Sequence, residues 1–383
     1  MERGDAYKVV ADLLRLRQWA VRGLSIGQAE SALVAGVTEE TWRHFVALER
    51  CASSLLERIS IGDLAPAVQN VLRSAAAREA QSALTARAEG REIAKIADAA
   101  GFPVVVLKGG VDAIAGKKPA LPLADLDLLV ERHHVKTMVD RLVAAGFGRP
   151  ARKLAHHQGI TPSSDRLAVE VHWTTHDDGR PLDPVLWNRL EPVSEAPPLK
   201  RLAPQDHLLH LIEHAIVVHR DRSVSLRDTI LIGGAATGCS REDLGVVRSK
   251  LDASMTSLLD FAIVIAEGRP VVDPFIESCA TFYSAVILAP ELPRPLSSNG
   301  ALAFVREIEL GRIPAVKAIT NSLRWRGTGN RTLAAVADRI PLIGTVVLAP
   351  AHLAYYSIVA MFMLPSIRAT RDRALRELDP KTL

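Results

Sequence analysis

Aromatic residues make up only 4% of this 383-residue chain, so its core must be built from aliphatic side chains, which a hydrophobic share of 48% supplies. Cysteine is scarce too. Cys51, Cys239 and Cys279 are far apart and show no C-x-x-C spacing, which excludes a disulfide framework or cysteine zinc site and points to a reducing compartment. There is no excess of one charge: 47 basic against 43 acidic residues leave +4, too mild for nucleic-acid binding yet compatible with an anionic substrate. The N-terminal stretch lacks the unbroken apolar run of a signal peptide, so a cytoplasmic location is expected. No internal repeat or low-complexity tract is evident.

One run has no charge at all. From Ile340 to Ile367 there is no Asp, Glu, Lys or Arg, and Arg339 and Arg368 flank it. Its length would allow a membrane span, but Pro341, Pro350 and Pro365, with Gly344 and His352, cut it into short pieces. That argues against a true span. A buried helical hairpin and a peripheral attachment at a membrane surface both remain open, the first favoured.

What is present divides by texture. Residues 1–100 read as a helical region: one helix from Thr38 as N-cap through Ile59, with Trp42, Phe45, Leu48, Leu55 and Ile59 near one face, and a longer one from Pro66 to Gly101. Residues 101–175 change to short β-branched runs with helices between them, in the order β-α-β-α-β-β, the mark of a small mixed unit. Residues 176–206 are rich in proline and read as an irregular connector. Residues 207–383 return to helical periodicity, starting from Pro204 in a first turn. The expected fold class is α+β, a small mixed sheet flanked by two helical regions.

The chemistry concentrates in the middle unit. The stretch "ADLDLLV" holds the chain's Asp-x-Asp pair; on a strand, Asp125 and Asp127 share one face and Leu126 and Leu128 the other. Two adjacent carboxylates repel unless a cation lies between them, and divalent metals are the usual solution when phosphoryl or nucleotidyl groups move. "LAVEVHW" offers Glu170 and His172 on one face of a further strand. Gly109-Gly110, at a strand end before a short helix, can cradle phosphates with backbone amides, and Lys108 can add positive charge. His156 and His157 straddle a strand, so at most one faces such a site. His210 and His214, four apart, share a helix face, while Arg227 and Asp228 read as an internal ion pair or a substrate contact, the pair being favoured.

Taken together, "VVVLKGG", "ADLDLLV" and "VEVHW", with "AHHQGI", "LLHLIEHA" and "LRDTILI", resemble the uncharacterised nucleotidyltransferase family of the polymerase β-type superfamily, over roughly residues 65 to 235. The resemblance implies a nucleotidyltransferase core in which Gly109 and Gly110 contact nucleotide phosphates, Asp125 and Asp127 bind metal, and Glu170 is the third acidic ligand or the base. It further implies Mg2+ or Mn2+, a nucleoside triphosphate, most simply ATP, and a hydroxyl-bearing acceptor such as a peptide, sugar phosphate or other metabolite. Leu121 and Ala124 depart from the pattern, standing where relatives often carry Arg and a Gly or Ser; Lys117 and Lys118 are the nearby cations. That departure keeps open a nucleotide-binding accessory protein without turnover. An assembly or membrane-attachment factor built on residues 340–367 is the third alternative.

Overall fold

The computed structural model describes residues 6–117, 121–153, 157–162, 166–175, 182–218, 224–288 and 364–378. α1 (Ala6–Ile26) buries Leu13, Leu14, Leu16 and Trp19. α2 (Glu39–Glu49) starts where the sequence places it: the Thr38 hydroxyl accepts from the Thr41 amide at 3.2 Å, and Glu39 and Glu40 lie in the first turn. The helix does not run on to Ile59. It stops at Arg50, which turns to a left-handed φ of 52°, and α3 (Ala52–Arg58) begins anew. The cause is distant in sequence: the buried carboxylate of Glu79 accepts from the Ala52 and Ser53 amides at 3.0 and 2.7 Å, satisfying a second helix start.

Glu79 belongs to α4 (Pro66–Ala100), which has proline at its first turn and Gly101 at φ 73° as its C-cap, as the sequence predicts. The first half of α4 packs Val68, Val71, Leu72 and Ala75 into the helical core with α1. The second half packs Ala86, Ile93, Ala94 and Ala97 under the sheet. One helix therefore serves two cores.

β1 (Val104–Val106), α5 (Gly109–Ile114), β2 (Asp125–Leu129) and α6 (Val135–Ala144) follow in the expected order. Three strands then come where two were expected: β3 (Gly148–Lys153), β4 (His157–Pro162) and β5 (Ala168–His172). β3 reads "GRPARK", with no apolar alternation, and sits at the sheet edge, where Pro150 is tolerated. The proline-rich stretch is not wholly irregular either: after α7 (Val185–Asn188) it forms β6 (Glu191–Pro192) and β7 (Leu199–Arg201). β7 lies parallel to β1 in a seven-stranded mixed sheet of order β3-β4-β5-β2-β1-β7-β6. Its three residues are proline-free, so their amides can join the ladder.

The chain then returns to helices: α8 (Pro204–Glu213) with a π-helical turn at His214–Val218, α9 (Leu226–Thr237), α10 (Arg241–Arg248), α11 (Ala253–Ala266), α12 (Ile276–Leu288) and α13 (residues 364–377). Most of the apolar run at 340–367 lies outside the described residues. Among those described, no helix is long and apolar enough to cross a membrane.

A buried ionic knot ties the helical regions together. Arg17, with no exposed surface, donates from Nη1 to Glu49 at 2.7 Å and from Nε to Asp273 at 2.5 Å. The other Glu49 oxygen accepts the Leu226 amide at 2.7 Å, at the start of α9, while the Tyr283 hydroxyl of α12 donates to the Arg17-bound oxygen. Glu49 thus joins α1, α2, α9 and α12. Removing one partner of a buried pair leaves the other charge without compensation. Glu49→Ala is therefore expected to lower stability by about 3–5 kcal/mol in urea unfolding, whereas Lys136→Ala, which breaks an exposed i,i+4 pair with Asp140, should cost less than about 0.5 kcal/mol.

Candidate functional site

The pleat of β2 sends Leu126 and Leu128 into the core beneath the sheet, together with Val169 and Val171 of β5, so Asp125 and Asp127 rise from the opposite face. Strand register then selects their neighbours. Asp127 lies opposite Glu170 on the parallel strand β5, and His172 lies opposite His157 on the antiparallel strand β4. Further along the same face, Val105, Leu107 and Leu129 close with Leu186 and Leu202 into a small apolar core. One face is thus polar at one end and sealed at the other.

Contacts at the polar end are short. Asp127, 3% exposed, receives Lys108 Nζ at 3.0 Å on one oxygen and His172 Nε2 at 2.9 Å on the other. His172 Nε2 also lies 3.3 Å from Glu170, whose second oxygen is 3.5 Å from His157 Nε2. Burial by itself would raise the Asp127 pKa, but Lys108 and His172 outweigh it and hold the carboxyl well below its ordinary range. Glu170 is likewise held low, burial being overcome mainly by the His172 hydrogen bond. The same bonds raise His172 against the opposing effect of its burial.

Asp125 behaves differently. Half-buried, it has no hydrogen-bond or ion-pair partner among the described residues, and burial together with Asp127 pushes its pKa up. An ionised Asp125 therefore calls for further positive charge, and oxygens of Asp127 and Glu170 lie on the same side. That donor set suits a hard divalent cation such as Mg2+ or Mn2+. A second possible grouping overlaps it: ligand atoms of His157, Glu170 and His172 lie within 4.8 Å of one another, and its imidazoles suit softer transition metals better than Mg2+.

The Lys-Gly-Gly turn closes the site from β1. Lys108 adopts φ 52° and ψ −142°, a strained conformation for a residue with a side chain, at a cost of about 1–3 kcal/mol. Its ammonium is thereby anchored on Asp127. A Cβ on Gly110 would come within 2.9 Å of Val106, so only glycine fits, while Gly109 opens towards Leu123 and Arg227. His210, 6% exposed on α8, has no hydrogen-bond partner on either ring nitrogen, and its ring lies 6.0 Å from that of His214. Burial, reinforced by Lys108, holds His210 neutral with its pKa well below the usual histidine value.

The structure therefore brings together Lys108, Gly109, Asp125, Asp127, His157, Glu170 and His172, with His210 and His214 of the following helix within electrostatic reach of Asp127. Lys117 is not among them: it pairs with Asp112 at 2.8 Å. Lys118 and His156 lie outside the described residues. One cation does more than the ion pair that the sequence favours. Arg227 pairs with Asp228 at 3.1 Å as expected, but its Nε also donates to the Pro122 carbonyl at 3.0 Å, beside Gly109, and its charge acts on Asp125. Arg50 reaches the same carbonyl at 3.4 Å. Guanidinium groups from α9 and from the α2 cap thus stand next to Leu121, where a local arginine is lacking. The motif "LRDTILI" offers both an ion pair and a substrate contact, and the structure shows the pair together with the Pro122 contact.

Residues 42–230, from α2 into α9, match the model of a family described as an uncharacterised nucleotidyltransferase. No curated protein and no solved structure matches the chain.

The depressed His210 pKa has a defined sign. Below the ordinary histidine value of 6.5 the unfolded chain takes up a proton that the folded chain refuses, so this contribution to stability is complete above pH 6.5 and is lost as pH falls towards the folded value. Each such proton contributes a slope of about 1.4 kcal/mol per pH unit. His210→Leu should flatten the fall of Tm between pH 6.5 and 5, as followed by circular dichroism; an unchanged slope would show that His210 is protonated in the folded protein.

Proposed function

With residues 42–230 belonging to the uncharacterised nucleotidyltransferase family, we propose that the protein transfers a nucleoside monophosphate, most simply AMP from ATP, to a hydroxyl-bearing acceptor, with Mg2+ or Mn2+. One observation carries this reading: Asp125, Asp127 and Glu170 share a sheet face that Lys108 and the Gly109-Gly110 turn close from the neighbouring strand. Asp125, Asp127 and Glu170 are the residues that would hold the metal. When bound, the metal would offset phosphate charge and draw the hydroxyl and the α-phosphate together.

The chain's own groups do the rest. Lys108 and Arg227 bring positive charge to the end of the site where the triphosphate would lie, and Gly109, free of a Cβ, lets phosphate approach the backbone. His172 and His157 hold Glu170 in place, and His172 fixes Asp127 from the other side. In the transfer, the acceptor oxygen forms a bond to the α-phosphorus as the bond to the bridging oxygen breaks. The electron pair leaves with pyrophosphate, and the hydroxyl proton passes to a carboxylate of the site, which is Glu170 in the alternative where it serves as the base and not as the third metal ligand. The sealed apolar end, built on Leu129 and Leu186, closes the same face beyond the carboxylates against water.

A second reading, nucleotide binding without turnover, draws on Lys108 and His172 already engaging both Asp127 oxygens. One assay separates the two. Incubation with α-labelled nucleoside triphosphates, Mg2+ or Mn2+ and cell extract should label an acceptor, and the double variant Asp125→Asn, Asp127→Asn should reduce labelling by about 100-fold or more. Wild type that binds ATP but labels nothing would leave the binding-only reading standing.

A further inference from the structure

A second concavity lies on the helical side of the site. Between α2, α4 and the segment leading into β2 is a cavity of about 870 Å³, lined among others by Arg43, Arg50, Arg78, Asn70, Ser74 and Pro122. That volume suits a small molecule. Its lining has three arginines and two carboxylates, and both carboxylates are already engaged: Glu79 by the Ala52 and Ser53 amides, Glu39 by Arg43. Arg78, exposed in the wall, has no carboxylate within ion-pair distance among the described residues.

The cavity touches the proposed catalytic site through two residues. Pro122 and Leu123 line it; the Pro122 carbonyl is held by both Arg50 and Arg227, and the Leu123 side chain would lie 3.3 Å from a Cβ on Gly109. Only Leu123 and Ala124 separate Pro122 from Asp125, so the two are at most about 11 Å apart along the chain. A molecule held there by an anionic group on Arg78, with Arg43 shared with Glu39, would reach the carboxylates by passing Leu123, which is 7% exposed. The triphosphate has its own cations, Lys108 and Arg227, on the far side of that strip.

We propose that this cavity is the acceptor subsite, and that the acceptor is a small hydroxylated molecule carrying an oxyanion, phosphate or carboxylate. Arginine recognises both by paired N–H donors, and Asn70 and Ser74 add neutral hydrogen bonds for the hydroxylated body. The word acceptor rests on the nucleotidyl-transfer reading above, whereas anion binding does not.

Calorimetric titration of the full chain with glycerol 3-phosphate, malate and inorganic phosphate, and separately with Mg-ATP, tests it. Glycerol 3-phosphate or malate should bind the wild type, and the double variant Arg43→Gln, Arg78→Gln should weaken that binding at least about tenfold. Both side chains are exposed, so the variant should keep the wild-type Tm, and its Mg-ATP affinity should stay within about twofold. A phosphate arm that outperforms malate identifies a phosphorylated acceptor, and the reverse a carboxylated one. Three results overturn the proposal: no binding of either hydroxylated anion to the wild type, binding that survives in the variant, or a parallel loss of Mg-ATP that makes the cavity part of the nucleotide site. Wild type that binds these anions but not Mg-ATP would instead defeat the nucleotidyl-transfer reading, so the two failures are distinguishable.

Discussion

A carboxylate buried in a sheet has to be surrounded by positive charge, and the polar half of this molecule is arranged around that requirement at Asp127. Lys108 answers it from β1 and His172 from β5. The first contact requires the backbone at Lys108 to take a left-handed turn, which brings the two glycines to the rim of the site. The second commits His172, which in turn grips Glu170 and aligns it with His157. Asp125 is then the carboxylate left with open coordination, two residues away on the same face. A single charge-balance problem thus orders most of the side chains a nucleotidyl-transfer site would need.

A similar economy operates in the helices. Glu49 is buried to hold Arg17, and because its second oxygen takes the Leu226 amide it also fixes the start of α9. The next residue is Arg227, whose guanidinium meets the Pro122 carbonyl beside Gly109. Stability and site geometry meet at this point: the orientation of a cation near Asp125 depends on a knot located in a different core.

Local signals account for what the sequence revealed. Thr38, Pro66 and Gly101 mark helix ends because capping acts within a turn, and the pleat of a strand places Asp125 with Asp127 and Glu170 with His172 on common faces without reference to the rest of the fold. What stayed hidden was set by distant partners. The break at Arg50 depends on Glu79, far along the chain, capping α3. β7 finds β1 across nearly the whole small domain, a pairing that its three residues do not announce. β3 has no alternation to read, since an edge strand need not bury either face. Arg227 and Arg50 could not be placed from sequence because the position that matters for both is where their side chains end, over Pro122.

The long helix α4 has an implication for how the protein can be handled and how its relatives can differ. Its two halves belong to different cores, and its first half also lines the arginine-rich cavity. Trimming the chain back to the sheet would strip Ile93, Ala94 and Ala97 from beneath the strands, and excising the helical region would orphan the same rod from above. Insertions or shortenings within α4 would rotate one core against the other by about 100° per residue, swinging Arg78 away from Pro122. The helix therefore couples the two cores: a change in its length shifts the register of one against the other.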